Sequence, residues 1–436
     1  MSQPREAQAP GKRWQPAFFT IWTGQQLSLI GSMLSGFALV WWLTQLTGSA
    51  TVLATASLVQ TLPRVLLGPF AGALVDRWNR RKVMLVADST IALASALLGY
   101  LFWRDAMQIW HVYAVMAIGA VGGTFHWPAM SASTSLMVPK EQLSRVAGLN
   151  QAMQGALSII SPPLGALLVT ILPLHGVMAV DVTTAAFAIV PLFFVPIPEP
   201  MRRTVEGASR PTLWADMREG FEYIWSWAGL RRVMLIAVVL NFLLTPASSL
   251  LPLLVTQHFA RGAPGLALAE SLWGSGVVLG GLLLGVWGGF KRRILTSMLG
   301  LVGMGAGALL LGVAPAGAFW VGLSGMALLG LMNPIANGPI HAIFQSVIEP
   351  DMQGRAFTMI GTACSAMAPV GIAIAGPFAD TLGIQSWFVV GGVACVLMAT
   401  YGLFSPVLMR IEENYQARQE APASSTLAGT QLDASA

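Results

Sequence analysis

Charge is the first thing this sequence lacks. Of 436 residues only 10% are Asp, Glu, Lys or Arg, against about 25% in a soluble domain. With 55% apolar residues and a mean hydropathy of +0.67, a soluble globular or a disordered chain is excluded. The formal charge of +5 is no nucleic-acid footprint, because the cations sit in short loops between apolar runs; no nucleic-acid partner is expected. Cysteine is nearly absent. Cys364 and Cys395 lie in late apolar segments, which rules out a disulfide framework and a thiolate metal site. There is no G-x-x-x-x-G-K-[ST] loop, no H-E-x-x-H, no C-x-x-C and no His-rich tract. ATP-driven transport and metalloproteolysis therefore lack their chemistry, and neither an enzyme, a cofactor nor a metal is expected. No cleavable signal is expected before the first apolar run, which is too long for a signal h-region.

What the chain has is long apolar runs. About 20 apolar residues cross a bilayer as a helix, and twelve such spans can be drawn: 16–46, 51–75, 82–102, 110–136, 142–171, 176–195, 231–257, 266–290, 293–313, 317–346, 354–380 and 385–408. Place both termini on one side and alternate. All but three of the 24 Lys and Arg then fall on that side, the exceptions being Arg64, Arg104 and Arg261. Basic loops face the cytoplasm, so both termini are expected there, in a multi-pass protein of a bacterial inner membrane. Trp14, Trp103, Trp110 and Trp387 flank apolar runs as interfacial anchors do. The stretch 196–230 opens with Pro196, Pro198 and Pro200, then spaces Leu213, Met217, Phe221, Ile224 and Ala228 at helical intervals, predicting a surface helix. The expected organisation is a six-helix half over 1–195, a cytoplasmic linker over 196–230, a second half over 231–408 and a polar tail over 409–436. Gly68-Pro-Phe-Ala recurs at Gly376, and Ser161-Pro-Pro-Leu-Gly165 is echoed by Ala368-Pro-Val-Gly371, a weak internal repeat.

Between the second and third spans runs Gly72-Ala-Leu-Val-Asp76-Arg77-Trp-Asn-Arg80-Arg81-Lys82. The pattern G-x-x-x-D-R-x-x-R-R-K resembles the signature loop of the major facilitator superfamily. Phe125-His-Trp-Pro-Ala129, Leu136-Met-Val-Pro-Lys-Glu-Gln-Leu143 and Asp216-Met-Arg-Glu-Gly-Phe-Glu-Tyr-Ile224 sharpen the likeness to its macrolide-efflux branch of drug:proton antiporters. The resemblance implies an all-α membrane fold of twelve helices in two pseudo-symmetric halves. It also implies a monomer in the lipid bilayer that exports a small amphipathic molecule in exchange for protons by alternating access. Export of a siderophore, metal ion or metabolite, and a non-transporting sensor on the same scaffold, stay open. The chain departs from the branch's relatives among drug antiporters in having no Arg in span 4, and in reading Ser-Pro-Pro-Leu-Gly-Ala in span 5.

The resemblance makes Gly72, Asp76, Arg77, Arg80 and Arg81 a conformational gate, with Asp76 facing the start of span 11 near Gly354. Ionisable groups at membrane depth are costly. Arg64, Asp88 and His126 are therefore the candidates for coupling, histidine being the side chain that changes charge between pH 5 and 8. Arg64 is also explained by carbonyls freed by Pro63 or Pro69, and Asp88 by pairing with the basic loop. Asp181 and Glu270 are placed in first turns, where the helix dipole favours acids; Asp380 sits at a helix C-terminus, where it does not. Neutral polar residues complete the set: Gln25, Gln26, Asn150, Gln154, Asn241, Asn333, Asn337 and His341 are candidate cavity residues. In span 10 the four-residue spacing puts Asn333, Asn337, His341 and Gln345 on one face. The resemblance implies that spans 1, 4, 7 and 10 line the cavity.

Overall fold

The computed structural model describes residues 14–75, 77–198, 213–411 and 413. The linker residues 199–212, most of the tail and Asp76 lie outside that set. The described residues are helical, with no strand among them.

Six long helices make the first half: α1 (Trp14–Thr47), α2 (Ala50–Val75), α3 (Arg80–Trp103), α4 (Ile109–Met137), α5 (Leu143–Ile171) and α6 (Leu174–Phe194). A short helix, α7 (Leu213–Ser226), precedes the second half. That half comprises α8 (Ala228–Leu253), α9 (Ala263–Trp287), α10 (Arg293–Val313), α11 (Phe319–Val347), α12 (Pro350–Leu382) and α13 (Ile384–Phe404), followed by one turn, α14 (Pro406–Met409). Eleven of the twelve long helices are long and apolar enough to cross a membrane. The twelfth, α4, is diluted by His111, His126 and a run of Ser and Thr. Thr124, Ser133 and Thr134 donate to carbonyls one turn back, so the hydroxyls leave few unmet bonds inside the bundle.

Small residues set the helix spacing. A Cβ on Gly300 of α10 would fall 2.5 Å from the Ala336 amide nitrogen of α11. Only glycine lets these backbones approach so closely, and in lipid such close packing replaces the hydrophobic drive. α7 packs on α12, with Ile224 fully buried and Arg355 donating to Glu219 at 2.7 Å.

The basic loop is tied to its own half. Arg80 donates to the Ala132 carbonyl at 3.1 Å; Arg81 donates to the Leu192 carbonyl and, at 2.6 Å, to that of Phe193. Arg81 thus caps the negative end of α6, and Arg80 reaches a carbonyl more than a turn inside α4. The end of the bundle carrying this loop is called the basic end below, and the opposite one the far end. Trp387 is not an interfacial anchor: it is buried, and its indole N–H donates to the Leu243 carbonyl at 2.9 Å. Asp181 is not a first-turn dipole acid either. It lies about two turns into α6, 3% exposed, and accepts from Ser32, Ser35 and Ser95 at 3.0, 3.0 and 2.7 Å. It therefore joins α1, α3 and α6, and meets the rule that a buried charge needs donors.

Candidate functional site: a cavity between the halves

A cavity of about 1270 Å³ lies between the two halves. Its walls come from α1, α2 and α5 on one side and from α8 to α13 on the other. The lining is apolar with sparse polar groups, the usual make-up of a small-molecule site. On α11 Asn333, Asn337 and His341 line the cavity and Gln345 does not; Asn241 of α8 lines it as well. Arg64 lines it from α2, and among the described residues no carbonyl accepts from its guanidinium. One carboxylate faces the space, that of Glu270 in α9, one turn before the cavity-lining Trp273. Sequence spacing predicts a first-turn Glu270; α9 starts at Ala263 rather than near 266, which puts it about two turns in. Among the described residues it has no hydrogen-bond or ion-pair partner.

The first-half candidates behave differently. None of Gln25, Gln26, Asn150 and Gln154 lies in the cavity wall. Asn150 accepts from the Trp22 indole at 2.6 Å, the Gln26 carbonyl oxygen is buried, and Gln154 is exposed on α5. Gln25 donates at 2.8 Å to Asp88, which is 7% exposed. On the other side of Asp88, His126 Nε2 lies 3.2 Å from Oδ1, at ion-pair distance but without hydrogen-bond alignment. Asp88 thus pairs with α1 and α4, not with the basic loop. The expectation that α4 borders the cavity is also corrected. No α4 residue lines it, because α4 packs behind, against α2 and α3. The candidates Gln25, Asp88 and His126 therefore form one buried cluster outside the cavity.

The two ends of the cavity are built from the same pair of helices. At the far end Asp380 of α12 accepts from the backbone N–H of Ala50 at 2.8 Å and of Thr51 at 2.9 Å. It also accepts from the hydroxyls of Thr51 at 2.6 Å and Ser49 at 3.2 Å. These donors crown the N-terminus of α2, where orphan amides and the dipole attract an anion. Beside it, a Cβ on Gly376 would lie 2.8 Å from Ala54 Cβ and 2.9 Å from Thr51 Cα. Gln257 adds a bond across the halves, donating to the Gly48 carbonyl at 2.6 Å. Toward the basic end the helices part. A Cβ on Gly68 or Gly72 of α2, or on Gly354 or Gly361 of α12, would meet nothing. Leu66 and Phe70 are 58% and 55% exposed. Asp76 lies outside the described residues, and Arg77 is exposed.

Comparison with known proteins completes the picture. The family model for the Major Facilitator Superfamily matches residues 21–372. Macrolide efflux protein A of Streptococcus pyogenes is 35% identical over 386 residues, covering 88% of this chain and 95% of that protein. The multidrug efflux pump Tap of Mycolicibacterium fortuitum is 26% identical, covering 88% and 94%. Among solved structures, a POT family transporter in complex with a thioalcohol conjugated peptide superposes with a TM-score of 0.67 at 12% identity, over 90% of this chain and 96% of that one. The nucleoside transporter NupG gives 0.63 at 11% identity, over 87% and 97%. At that identity these structures speak to the fold alone. Twelve long helices in two halves around a central cavity, together with these matches, make the chain a transporter rather than an enzyme: it belongs to the major facilitator superfamily, on its macrolide-efflux branch.

Proposed function

We propose that this protein exports a small amphipathic, drug-like compound by alternating access, driven by protons. The observation that carries the reading is the cavity between the halves, shut at the far end by Asp380 on the α2 N-terminus. The helices diverge at the other end. The names of the relatives support a drug-like cargo. A metal ion finds no set of three His, Cys, Asp or Glu among the described residues, which leaves a metabolite or siderophore as the rival cargo. The names of the relatives favour export over a sensor on the same scaffold.

On this reading the basic end is cytoplasmic, the membrane is the bacterial inner membrane, and the protein works as a monomer. The structure then corresponds to the inward-facing state. The domain bounds 1–195, 196–230, 231–408 and 409–436 belong to the same proposal. Labelling of Ser209→Cys from outside intact cells would overturn the orientation.

Proton coupling is assigned to two places with different tasks. The Asp88–His126–Gln25 cluster joins α1, α3 and α4, and its charge decides how those helices pack. Glu270 meets the cargo. In proteoliposomes with an imposed pH gradient, His126→Ala should abolish pH-driven efflux and spare passive counterflow. Glu270→Gln should lower both, by roughly tenfold or more, the scale of a lost contact to a charged group. Arg64→Ala should lower both as well. Undiminished pH-driven efflux in His126→Ala would remove the cluster from the mechanism. No transport of any amphipathic compound by the wild type would remove the export reading itself.

A further inference from the structure

Two carbonyls of α5 lack their helical partners. Pro162 and Pro163 lie inside that helix, and neither has an amide hydrogen to give to the residue four back. The carbonyls of Ser158 and Ile159 are thereby released from the ladder of their own helix. Both are turned to α9, the helix of the other half that packs against α5. The Ser271 hydroxyl donates to the Ile159 carbonyl at 2.9 Å. About one turn further along α9, Gly274 is buried, and a Cβ there would fall 2.8 Å from the Ser158 carbonyl oxygen.

We propose that Ser271 is a positioning residue for transport: its bond to the Ile159 carbonyl fixes the rotation of α9 about its axis and so keeps Glu270 turned into the cavity. The inference rests on Glu270 meeting the cargo, as proposed above. Three observations carry it. The first is adjacency. Glu270 and Ser271 are neighbours in the chain, so their side chains stand about 100° apart around the helix. Leu266, Glu270 and Trp273 form the cavity face of α9, while Ser271 and Gly274 lie outside the cavity wall, on the side of α5. The second is the seating of α9. On its other flank a Cβ on Gly276 would fall 2.6 Å from the Ala327 carbonyl oxygen of α11. Glycine contacts on both flanks hold α9 close, but a residue without a side chain cannot fix the helix's rotation. Among the described residues no other side chain of α9 hydrogen-bonds to α5. The third is Glu270 itself. It has no hydrogen-bond or ion-pair partner among the described residues, so the helix that carries it sets its direction.

The bond joins the halves, since the carbonyl belongs to the first and the hydroxyl to the second. A change in how α5 meets α9 therefore reaches Glu270 through the residue next to it. Pro163 is part of the arrangement. With an amide at that position the Ile159 carbonyl would have a partner in its own helix, and the claim of Ser271 on it would weaken.

Labelling of carboxyls by dicyclohexylcarbodiimide tests this, read residue by residue by mass spectrometry on the full-length protein in detergent, with Glu270→Gln as the blank. The reagent reports how Glu270 is presented to the cavity, and no cargo is needed. Ser271→Ala leaves the Ile159 carbonyl unmet and should slow labelling of Glu270 by about tenfold. Ser271→Thr keeps the hydroxyl and should label close to the wild-type rate. Pro163→Ala returns an amide to that carbonyl, so adding Ser271→Ala in this background should change labelling little. Should Ser271→Ala not fold, Ser271→Cys, a weaker donor, is read in its place, with a smaller fall expected. Wild-type labelling of Glu270 in the Ser271 variant would overturn the proposal, because the hydroxyl would then serve the fold alone. So would a tenfold loss that persists in the Pro163→Ala background, because the freed carbonyl would not be its cause. The cargo reading is tested apart from this: export of a macrolide by Glu270→Gln at the wild-type rate would remove Glu270 from cargo binding and leave the labelling result on Ser271 standing.

Discussion

At the far end α12 grips α2; at the basic end the same two helices stand apart. The sequence Gly-Pro-Phe-Ala occurs in both helices, at Gly68 of α2 and Gly376 of α12; Asp380 follows the second at once, and Asp76 follows the first five residues later in the sequence. A carboxylate at a helix C-terminus is disfavoured by its own helix dipole. It is stabilised only when the N-terminus of another helix comes within reach. Asp380 has that partner in Ala50 and Thr51. We propose, from the gate that the family resemblance implies, that Asp76 finds its own near Gly354 only when the basic end closes. A contact of this kind is made fully or lost, so the pair of acids favours two discrete states over a continuum.

The comparison can be broken most severely at Gly376. Gly376→Leu cannot fit beside Ala54 and Thr51 at 2.8 and 2.9 Å. It should hold the far end open and reduce export by roughly 5- to 150-fold, the result of overpacking worth about 1–3 kcal/mol against one state. Spin-label distances across the far end should lengthen, and unchanged distances would count against the latch. Asp380→Asn should act in the same direction but less. It keeps the shape and exchanges charge-assisted bonds for weaker neutral ones. A population shift of about fivefold toward the outward-facing state is expected, read from labelling of a cysteine in the cavity. Asp76→Asn should do the reverse, favouring the inward-facing state, with expression near normal and export impaired. Wild-type export rates would refute that gate. The smallest effect on stability is expected from Gly72→Ala. Nothing surrounds its Cβ in this state, so thermal unfolding should move by less than about 0.5 kcal/mol, while export still falls if Gly72 packs when the basic end closes. Loss of stability comparable to the loss of export would mean that Gly72 matters to the fold and not to the switch.

Much of this architecture can be read in one dimension because lipid imposes it locally. A span must satisfy its own backbone, so apolar length gives eleven of the twelve helices, α4 being diluted by polar residues, and cations must stay out of the hydrocarbon, so their placement gives an alternating order. The stripe Asn333, Asn337 and His341 is legible for the same reason: residues four apart share a helix face whatever surrounds them. What a helix packs against is not local. Gln25 and Asp88 are 63 positions apart, and nothing in either run marks them as partners. The three serines that hold Asp181 come from two other helices. Sequence spacing misplaces Glu270 because α9 starts a few residues early, and a shift of that size carries a side chain from a helix mouth to a cavity wall.

The sequence by itself determined that the chain crosses a membrane twelve times, which loops share a side, and which residues are too polar to lie in lipid without a reason. It also carried the likeness of family through the basic loop. Tertiary structure decided the rest: that α4 stands behind the cavity, that Asp88 and His126 lie side by side, that Glu270 lines the cavity between the halves, and that the N-terminus of α2 holds Asp380 at the end of α12. The division has a physical cause. Insertion into lipid is settled segment by segment, from each residue's own transfer energy, whereas contacts between helices depend on close packing that only the assembled bundle supplies.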